Sequence, residues 1–390
     1  MLVTRRHALL GLSATIGLGS ARMAVADAPT DKRLVVIILR GALDGMAAVV
    51  PYGDPAYATL RAPAKQPGSD DPEALLDLGG FYGLHPSLTG IHAMYQANHA
   101  LLVHAVAGPY RIRSHFEAQD YMESGADDRL TSGWLNRAVA AMGRRQVPEE
   151  ALAVGTSVPL LLRGKAQVAN WAPQGLAPPR DELYAMIAEL NHADPVTGPA
   201  IAEGMRDRGF SASVMDPTPQ EGNRYAFPAL ARAAGEMLRA DNGPRIAALE
   251  LGGWDTHTAQ DRRLAQALRQ LDLGVVALQE ALGPAWSETA VLAMTEFGRT
   301  ARLNGTFGTD HGTATVAFVL GGAVAGGKVR ADWPGLKDLF EDRDLAPTTD
   351  LRAVARGLLA QHLGLDAPAL ATVFPGSAQV SNMSGLVEPV

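Results

Sequence analysis

Acidic and imidazole side chains follow two apolar, strand-like segments in the C-terminal half of this 390-residue chain. Open α/β sheets assemble their sites at strand ends, and carboxylates together with imidazoles are ligands for divalent cations. The pattern therefore predicts a metal-dependent site. Its candidate ligands are Asp255 and His257 after segment 249–251, Glu296 after segment 291–294, and Asp310 with His311 in the Gly-rich loop that follows.

Each of these candidates also has a structural interpretation. Asp255 could cap the helix that follows it. Glu296 could form an ion pair with Arg299, which lies three residues further on. Polar residues such as Asp310 are common in Gly-rich turns, although histidine is not a preferred turn residue, so His311 favours a functional loop.

A third candidate segment lies where the apolar run 100–106 gives way to a helix that is predicted to begin at Ser114. Ser114 and Glu117 have the spacing of a capping box, which is a purely structural role. A hydroxyl at a helix N-terminus is also well placed to attack or to bind an oxyanion, with Arg113 beside it as a donor. His115 could be a metal ligand or an ordinary residue of the first helical turn.

A mostly parallel sheet is needed to bring these residues together. Continuous apolar runs, as expected for strands buried on both faces, occur at 34–39, 100–106, 245–251, 290–294 and 315–320. Leucines at helical spacing predict a helix over 261–282, which is long enough for a right-handed crossover. A closing helix is predicted from Leu351 to about Leu363. The fold class is therefore α/β, with helices layered on a mostly parallel sheet.

We expect one domain, covering residues 27–390. Residues near 51–86 and 146–224 are richer in Pro, Gly and polar residues and lack the strand–helix rhythm. They are interpreted either as insertions that cap the strand ends or as surface loops with short helices.

The first 26 residues have the features of an export signal. Arg5 and Arg6 precede an uncharged apolar run over 8–18, and Ala24-Val25-Ala26 has the small-x-small pattern of a signal-peptidase site. Paired arginines before a modestly hydrophobic core favour twin-arginine export to the periplasm over an ordinary secretory signal. No later segment is apolar for about 18 residues, so no membrane span is expected in the mature protein.

Composition narrows the chemistry further. The chain has no cysteine, which excludes disulfides, zinc–thiolate sites and a cysteine nucleophile. Removing the leader takes away Arg5, Arg6 and Arg22, so the 34 basic residues become 31 against 41 acidic ones, a net charge of about −10. This balance gives no reason to expect a nucleic-acid partner.

Five motifs, in this order, resemble the bacterial domain-of-unknown-function family 1501. They are Leu39–Gly45, Arg113–Asp120, Gly253–His257, Thr295–Thr300 and Gly308–Gly312. The likeness extends from about residue 34 to 365. That family is in turn similar to the alkaline phosphatase and sulfatase superfamily, which implies an alkaline phosphatase-like layered sandwich with cap insertions.

The resemblance implies roles at individual positions. Asp44, at the end of the first strand, matches a metal-binding acid, and Ser114 matches the nucleophile. Asp255, His257 and His311, with Asp310 beside it, match metal ligands. The superfamily has Asp-His where this chain has Glu296-Phe297, so one imidazole is missing from the pattern; His115 could replace it. One or two ions of zinc, calcium, magnesium or manganese would suit this set.

The function that these observations favour is an exported metal-dependent hydrolase. Its partner would be a small anionic phosphate or sulfate ester, or an envelope glycan or lipid headgroup, with Arg113 or Arg299 stabilising developing charge. The alternatives are a non-catalytic periplasmic protein that retains the fold for binding or assembly, and a transferase or isomerase that moves a phosphoryl group through the same serine.

Overall fold

The computed structural model describes residues 31–62, 65–142, 151–173 and 226–388. The predicted export signal and residues 174–224 of the second predicted insertion lie outside these ranges. The strands are β1 (Arg33–Leu39), β2 (Val49–Val50), β3 (Leu76–Asp77), β4 (Gly83–Leu84), β5 (Ala100–Ala107), β6 (Ala151–Val154), β7 (Val168–Trp171), β8 (Ile246–Leu251), β9 (Thr289–Met294), β10 (Thr315–Leu320), β11 (Lys328–Arg330) and β12 (Thr349–Asp350).

Helices lie between and after these strands. They are α1 (Gly45–Ala48), α2 (Tyr57–Leu60), α3 (Thr89–Gln96), α4 (His115–Ser124), α5 (Trp134–Ala141), α6 (Phe227–Arg239), α7 (Gln260–Leu282), α8 (Leu351–Gln361) and α9 (Ala367–Val373), with short 3₁₀ turns at Leu160–Leu162 and Gly283–Glu288. In the described part of the chain, no helix is long and apolar enough to cross a membrane.

The central sheet joins nine of the described strands. Eight run in the order β11-β5-β10-β9-β1-β8-β6-β7, and β12 pairs with β5. β1 lies between β8 and β9 and is parallel to both. β10 is antiparallel to its neighbours β5 and β9, while the other pairings are parallel. The predicted α/β fold with a mostly parallel sheet is confirmed.

Two apolar layers cover the faces of this sheet, because successive side chains of a strand point to opposite faces. On β1, Val35 and Ile37 join the layer that packs against α3, α6 and α7. Val36 and Ile38 join the layer that packs against α5, α8 and α9. Helices therefore bury both faces, which is why the strands are continuous apolar runs in the sequence.

The five predicted strands correspond to β1, β5, β8, β9 and β10, and the three predicted helices to α4, α7 and α8, with predicted bounds shifted by at most two residues. The predicted insertions differ from each other. Range 51–86 contains α2, β3 and β4, and these two strands join β2 in a separate three-stranded sheet. The described residues 151–173 are instead part of the central sheet, since they supply its edge strands β6 and β7. Both strands are only four residues long, which concealed them in the sequence.

Candidate metal centre

One edge of the central sheet carries the candidate residues. β1, β5, β8 and β9 are parallel to one another, so their C-terminal ends meet at this edge. β10 is antiparallel, which brings the residues before its first residue to the same edge. His311 therefore reaches the site by preceding a strand, whereas Asp255 and His257 follow one. The bridge between Arg299 and His311 closes the β9–β10 connection on itself, and the Thr309 N–H donates to the Thr256 carbonyl at 3.1 Å, which joins this connection to the loop after β8.

Asp255 lies at the centre of a group of three imidazoles. Its Oδ1 atom is 3.0 Å from Nε2 of His257 and 3.3 Å from Nε2 of His311. Nε2 of His115 is 3.5 Å away from the same oxygen. Nη2 of Arg299 donates to Oδ1 at 2.9 Å. Three ring nitrogens thus face one carboxylate oxygen.

Each imidazole also contacts an oxygen through its other ring nitrogen. Nδ1 of His115 is 2.8 Å from Oε1 of Glu296, and Nδ1 of His257 is 3.1 Å from Oδ1 of Asp310. Nδ1 of His311 is 2.9 Å from the carbonyl oxygen of Arg113. Because these partners are acceptors, each Nδ1 carries the hydrogen, and in the neutral ring Nε2 then presents a lone pair.

The residues present fit a divalent cation. Nε2 of His257 lies 2.9 Å from Nε2 of His311, and two lone pairs at this distance repel unless a proton or a cation lies between them. Nε2 of His115 is buried and makes no hydrogen bond to any residue that the structure describes. One ligand atom each from His115, Asp255 and His311 lie within 4.8 Å of one another. Imidazole nitrogens with a carboxylate oxygen are the donor set of zinc and other transition metals.

The charged groups around the cluster shift the pKa values of its members. Partial burial alone would raise the pKa of Asp255, but Arg299 and the nearby imidazoles outweigh it and hold this pKa below its ordinary value. The hydrogen bond to Glu296 raises the pKa of His115, whereas burial lowers that of His311. Asp255 is 45% exposed and Arg299 is fully buried, so the centre opens to solvent on the side opposite Arg299.

The Oε1 oxygen of Glu296, which contacts His115, already accepts hydrogen bonds from other groups. Its side chain is fully buried, and Oε1 accepts from the Gly41 backbone N–H and from Nε2 of Gln119 as well as from His115. The predicted alternative, an ion pair between Glu296 and Arg299, is not formed, because Arg299 binds Asp255. Nε and Nη1 of Arg299 are buried and have no partner in the described part of the chain.

Asp44 occupies a different environment from the one predicted. It is the N-cap of α1, where Oδ1 accepts from the Ala47 N–H at 3.1 Å. Its Oδ2 accepts from Nε2 of Gln260 at 2.6 Å and lies 2.9 Å from Nη1 of Arg61. The carboxylate is 1% exposed and its donors surround it. The structure therefore places Asp44 in a buried ion pair and not among the ligand atoms that cluster around Asp255.

Ser114 precedes α4 as predicted, but the capping box does not form. The Ser114 hydroxyl makes no hydrogen bond to the helix, and Glu117 instead accepts from the Tyr110 hydroxyl. Asp255 does not cap α7 either, because Ala259 occupies that N-cap position. The Ser114 hydroxyl is thus not used as a helix cap.

The Arg113 guanidinium is engaged by acids and is turned away from the predicted role of stabilising substrate charge. Its Nε donates to Oδ2 of Asp344 at 2.9 Å, and Nη2 donates to Oε2 of Glu341 at 2.6 Å.

Phe297, which replaces the expected imidazole, stacks on His115 with ring centroids 5.0 Å apart, and its ring centroid is 5.2 Å from that of His311. It fixes the two imidazoles by packing.

Sequence reasoning missed three residues that support the centre. Gln119 lies one helical turn after His115, a spacing that puts both side chains on one face of α4 and could have identified it. Asn304 donates to Asp310 and to the His257 carbonyl. Gly41 has a positive φ of 122° and a Cβ there would lie 2.7 Å from the Asp255 nitrogen, so only glycine fits where β1 passes this loop.

Fold and site together define an α/β protein with a cluster of histidines and an aspartate, suited to a divalent cation, at one edge of a mostly parallel sheet. The chain belongs to the family described as Protein of unknown function (DUF1501), whose model matches residues 31–374. The family prediction made from the five motifs is confirmed. No curated protein matches the sequence significantly.

Several solved structures are similar to this chain at low identity. Ps i-CgsB in complex with k-i-k-neocarrahexaose is 12% identical, with 90% of this chain and 77% of that chain covered and a TM-score of 0.41. The zinc complex of the C-terminal periplasmic domain of EcEptC from Escherichia coli is 10% identical, with 94% and 93% covered and a TM-score of 0.39. A protein in the alkaline phosphatase superfamily from Vibrio parahaemolyticus is 10% identical, with 94% and 78% covered and a TM-score of 0.39. At TM-scores below 0.5, these likenesses establish nothing about the chemistry of this chain.

Proposed function

We propose that this protein is a hydrolase that requires a divalent cation and cleaves a phosphate or sulfate ester. The observation that carries the proposal is the convergence of Nε2 of His257 and Nε2 of His311 at 2.9 Å beside Oδ1 of Asp255. A cation between these atoms removes the repulsion of the lone pairs.

His115, Asp255 and His311 would hold the cation, with His257 as a further ligand. When bound, a divalent cation at this position supplies a Lewis acid that polarises an ester oxygen. A set rich in imidazole suits zinc or manganese better than calcium or magnesium, which prefer all-oxygen sites. The cluster has a single centre, so one ion is proposed.

Ser114 is the proposed nucleophile. Its hydroxyl is not used as a helix cap and lies at the N-terminus of the ten-residue helix α4, where the first backbone N–H groups are available to an anion. In the proposed reaction, the Ser114 oxygen bonds to the phosphorus or sulfur while the bond to the alcohol oxygen breaks, and the proton of the Ser114 hydroxyl passes to the leaving alcohol. Water then cleaves the serine ester and releases the inorganic anion, and the serine regains its proton.

The export signal predicted over residues 1–26 completes the proposal. A protein exported by the twin-arginine pathway would act in the periplasm on an anionic ester or on a glycan or lipid headgroup of the envelope. The remaining chain, residues 27–390, is proposed to form one domain.

One observation favours the second candidate, a metal-binding protein without catalysis. Arg113 is held by Asp344 and Glu341, and Arg299 is buried beside Asp255, so neither guanidinium is presented to an incoming ester. Developing charge on an ester would then be stabilised by the proposed cation and by the backbone N–H groups at the start of α4, without help from either arginine.

Metal content and turnover test the proposal together. Protein purified from the periplasm should contain a stoichiometric transition metal and hydrolyse at least one member of a panel of aryl phosphate monoesters, diesters and aryl sulfates, with loss of activity on chelation and recovery on adding zinc or manganese. Asp255→Asn should lose the metal, whereas Glu250→Gln, at the end of the same strand, should retain it. Turnover that persists unchanged in the chelated protein would contradict the proposal, and a fully metal-loaded protein inactive on the whole panel would favour the second candidate.

A further inference from the structure

The two acids that the sequence marked as ligands, Glu296 and Asp310, each contact a histidine on the ring nitrogen remote from the cluster. We propose that both are positioning residues, which hold His115 and His257 with Nε2 toward the cation, and that neither carboxylate is itself a ligand. This inference rests on the metal centre of the proposed function but does not depend on which reaction the centre performs.

Oε1 of Glu296, the oxygen that contacts His115, is occupied by hydrogen bonds. Oε1 accepts three hydrogen bonds, from the Gly41 N–H at 2.9 Å, Nδ1 of His115 at 2.8 Å and Nε2 of Gln119 at 3.0 Å. Oε2 lies 2.9 Å from the Thr295 hydroxyl. To ligate a cation, this fully buried carboxylate would have to leave these donors, and an unsatisfied buried N–H costs about 1–3 kcal/mol.

The orientation of Gln119 is itself fixed. Nη1 of Arg40 donates to the Gln119 side-chain oxygen at 2.8 Å, so the amide nitrogen must face Glu296. Oε1 of Glu296 therefore meets only donors.

Oε1 of Glu296, which already accepts from the Gly41 N–H and from Gln119, selects one tautomer of His115. The hydrogen of the neutral ring must be on Nδ1, which leaves the lone pair on Nε2, the atom that is buried without a hydrogen bond beside Asp255. Metal-ligating histidines are held in this way by carboxylates that do not touch the metal, and loss of such a partner costs roughly 10- to 100-fold in metal affinity.

Asp310 contacts Nδ1 of His257 as Glu296 contacts Nδ1 of His115, but Asp310 is more exposed. Its Oδ1 accepts from Nδ2 of Asn304 at 3.1 Å and contacts Nδ1 of His257 at 3.1 Å. The Asp310 side chain is 57% exposed, whereas that of Glu296 is fully buried. Solvent screens the first pair and not the second, so Glu296 should contribute more to metal affinity.

Zinc affinity of the purified full-length protein, measured by competition with a chromophoric chelator, compares three variants. Glu296→Gln should bind zinc roughly 10- to 100-fold more weakly than wild type, and Asp310→Asn should show a smaller loss. Glu250→Gln is the matched control, because it removes a carboxylate on Arg40 without touching a histidine; it should bind zinc as wild type does. Wild-type affinity in both Glu296→Gln and Asp310→Asn would overturn the inference.

Two measurements on the wild-type protein do not require a variant to fold. Long-range ¹⁵N–¹H correlations of the metal-free protein should show His115 as the Nδ1–H tautomer, and a zinc-bound crystal structure should show His115 Nε2, but no Glu296 or Asp310 oxygen, bound to the anomalous peak. A zinc–carboxylate bond to either acid, or an Nε2–H tautomer of His115, would refute the positioning role. Absence of ester hydrolysis would count against the proposed function alone, since none of these readouts uses turnover.

Discussion

Replacement of Ser114 by alanine separates the catalytic role of its hydroxyl from the structural one. The hydroxyl makes no hydrogen bond to α4, so Ser114→Ala should change the free energy of unfolding by less than about 0.5 kcal/mol. A serine that caps a helix contributes about 1 kcal/mol more than alanine. If Ser114 is the nucleophile, hydrolysis of the responsive ester should fall by at least about 10³-fold at unchanged metal content.

Asp366→Ala provides the matched control for capping. Asp366 is the N-cap of α9, and its Oδ1 accepts from the Ala369 N–H at 2.9 Å. Loss of this bond should cost about 1 kcal/mol without loss of activity. Both variants are compared with wild type by urea unfolding monitored by tryptophan fluorescence, together with steady-state hydrolysis and metal analysis.

Each outcome of this comparison has a defined meaning. If Ser114→Ala is destabilised as much as Asp366→Ala, the Ser114 hydroxyl caps α4 in solution and is not free to act as a nucleophile. If Ser114→Ala is stable and hydrolyses the ester at the wild-type rate, Ser114 is not the nucleophile.

Three other perturbations follow from the structure and the sequence. Burial lowers the pKa of His362 to about 4, so the unfolded chain takes up a proton below pH 6.5 before the native protein does; stability should fall by up to about 3 kcal/mol between pH 6.5 and 4, and urea unfolding of His362→Gln should show a flatter pH dependence. Arg61→Met leaves the buried carboxylate of Asp44 without its ionic partner and should lower the free energy of unfolding by about 3–5 kcal/mol, with partial recovery when Asp44→Asn is added; an unchanged unfolding midpoint would show that the pair is not formed. Arg5→Lys with Arg6→Lys should trap the precursor in the cytoplasm, and immunoblots of cell fractions that show normal processing would instead indicate the general secretory route.

Strand positions were predictable because burial on both faces leaves a direct signature. β1, β5, β8, β9 and β10 each require an uninterrupted apolar run, and the sequence shows such runs within a residue or two of the observed bounds. β6 and β7 were missed because each is only four residues long, too short to show the uninterrupted apolar run of the longer strands. The crossover helix α7 was predictable because the leucines of its buried face recur at helical spacing.

The set of site residues could also be predicted in large part, but their roles could not. Asp255, His257 and His311 were proposed as ligands, and the structure brings all three together. His115 was left with two interpretations, because its direction depends on how α4 meets the sheet edge. The resemblance assigned Asp44 to the metal, whereas in the structure its carboxylate forms a buried ion pair with Arg61.

The sequence by itself determined which chemical groups are available and that strand ends would collect them at one edge, because both follow from residue type and periodicity. Only the tertiary structure decided which carboxylate faces the imidazole nitrogens and which supports a ring from behind. Asp255 and Glu296 have the same functional group and both follow a strand of the same sheet. They differ in the groups that face them, Arg299 and three imidazoles for the first, and Gly41, Gln119 and one imidazole for the second, and most of these groups come from distant segments. Such partners are set by packing across many residues, and no local spacing encodes them.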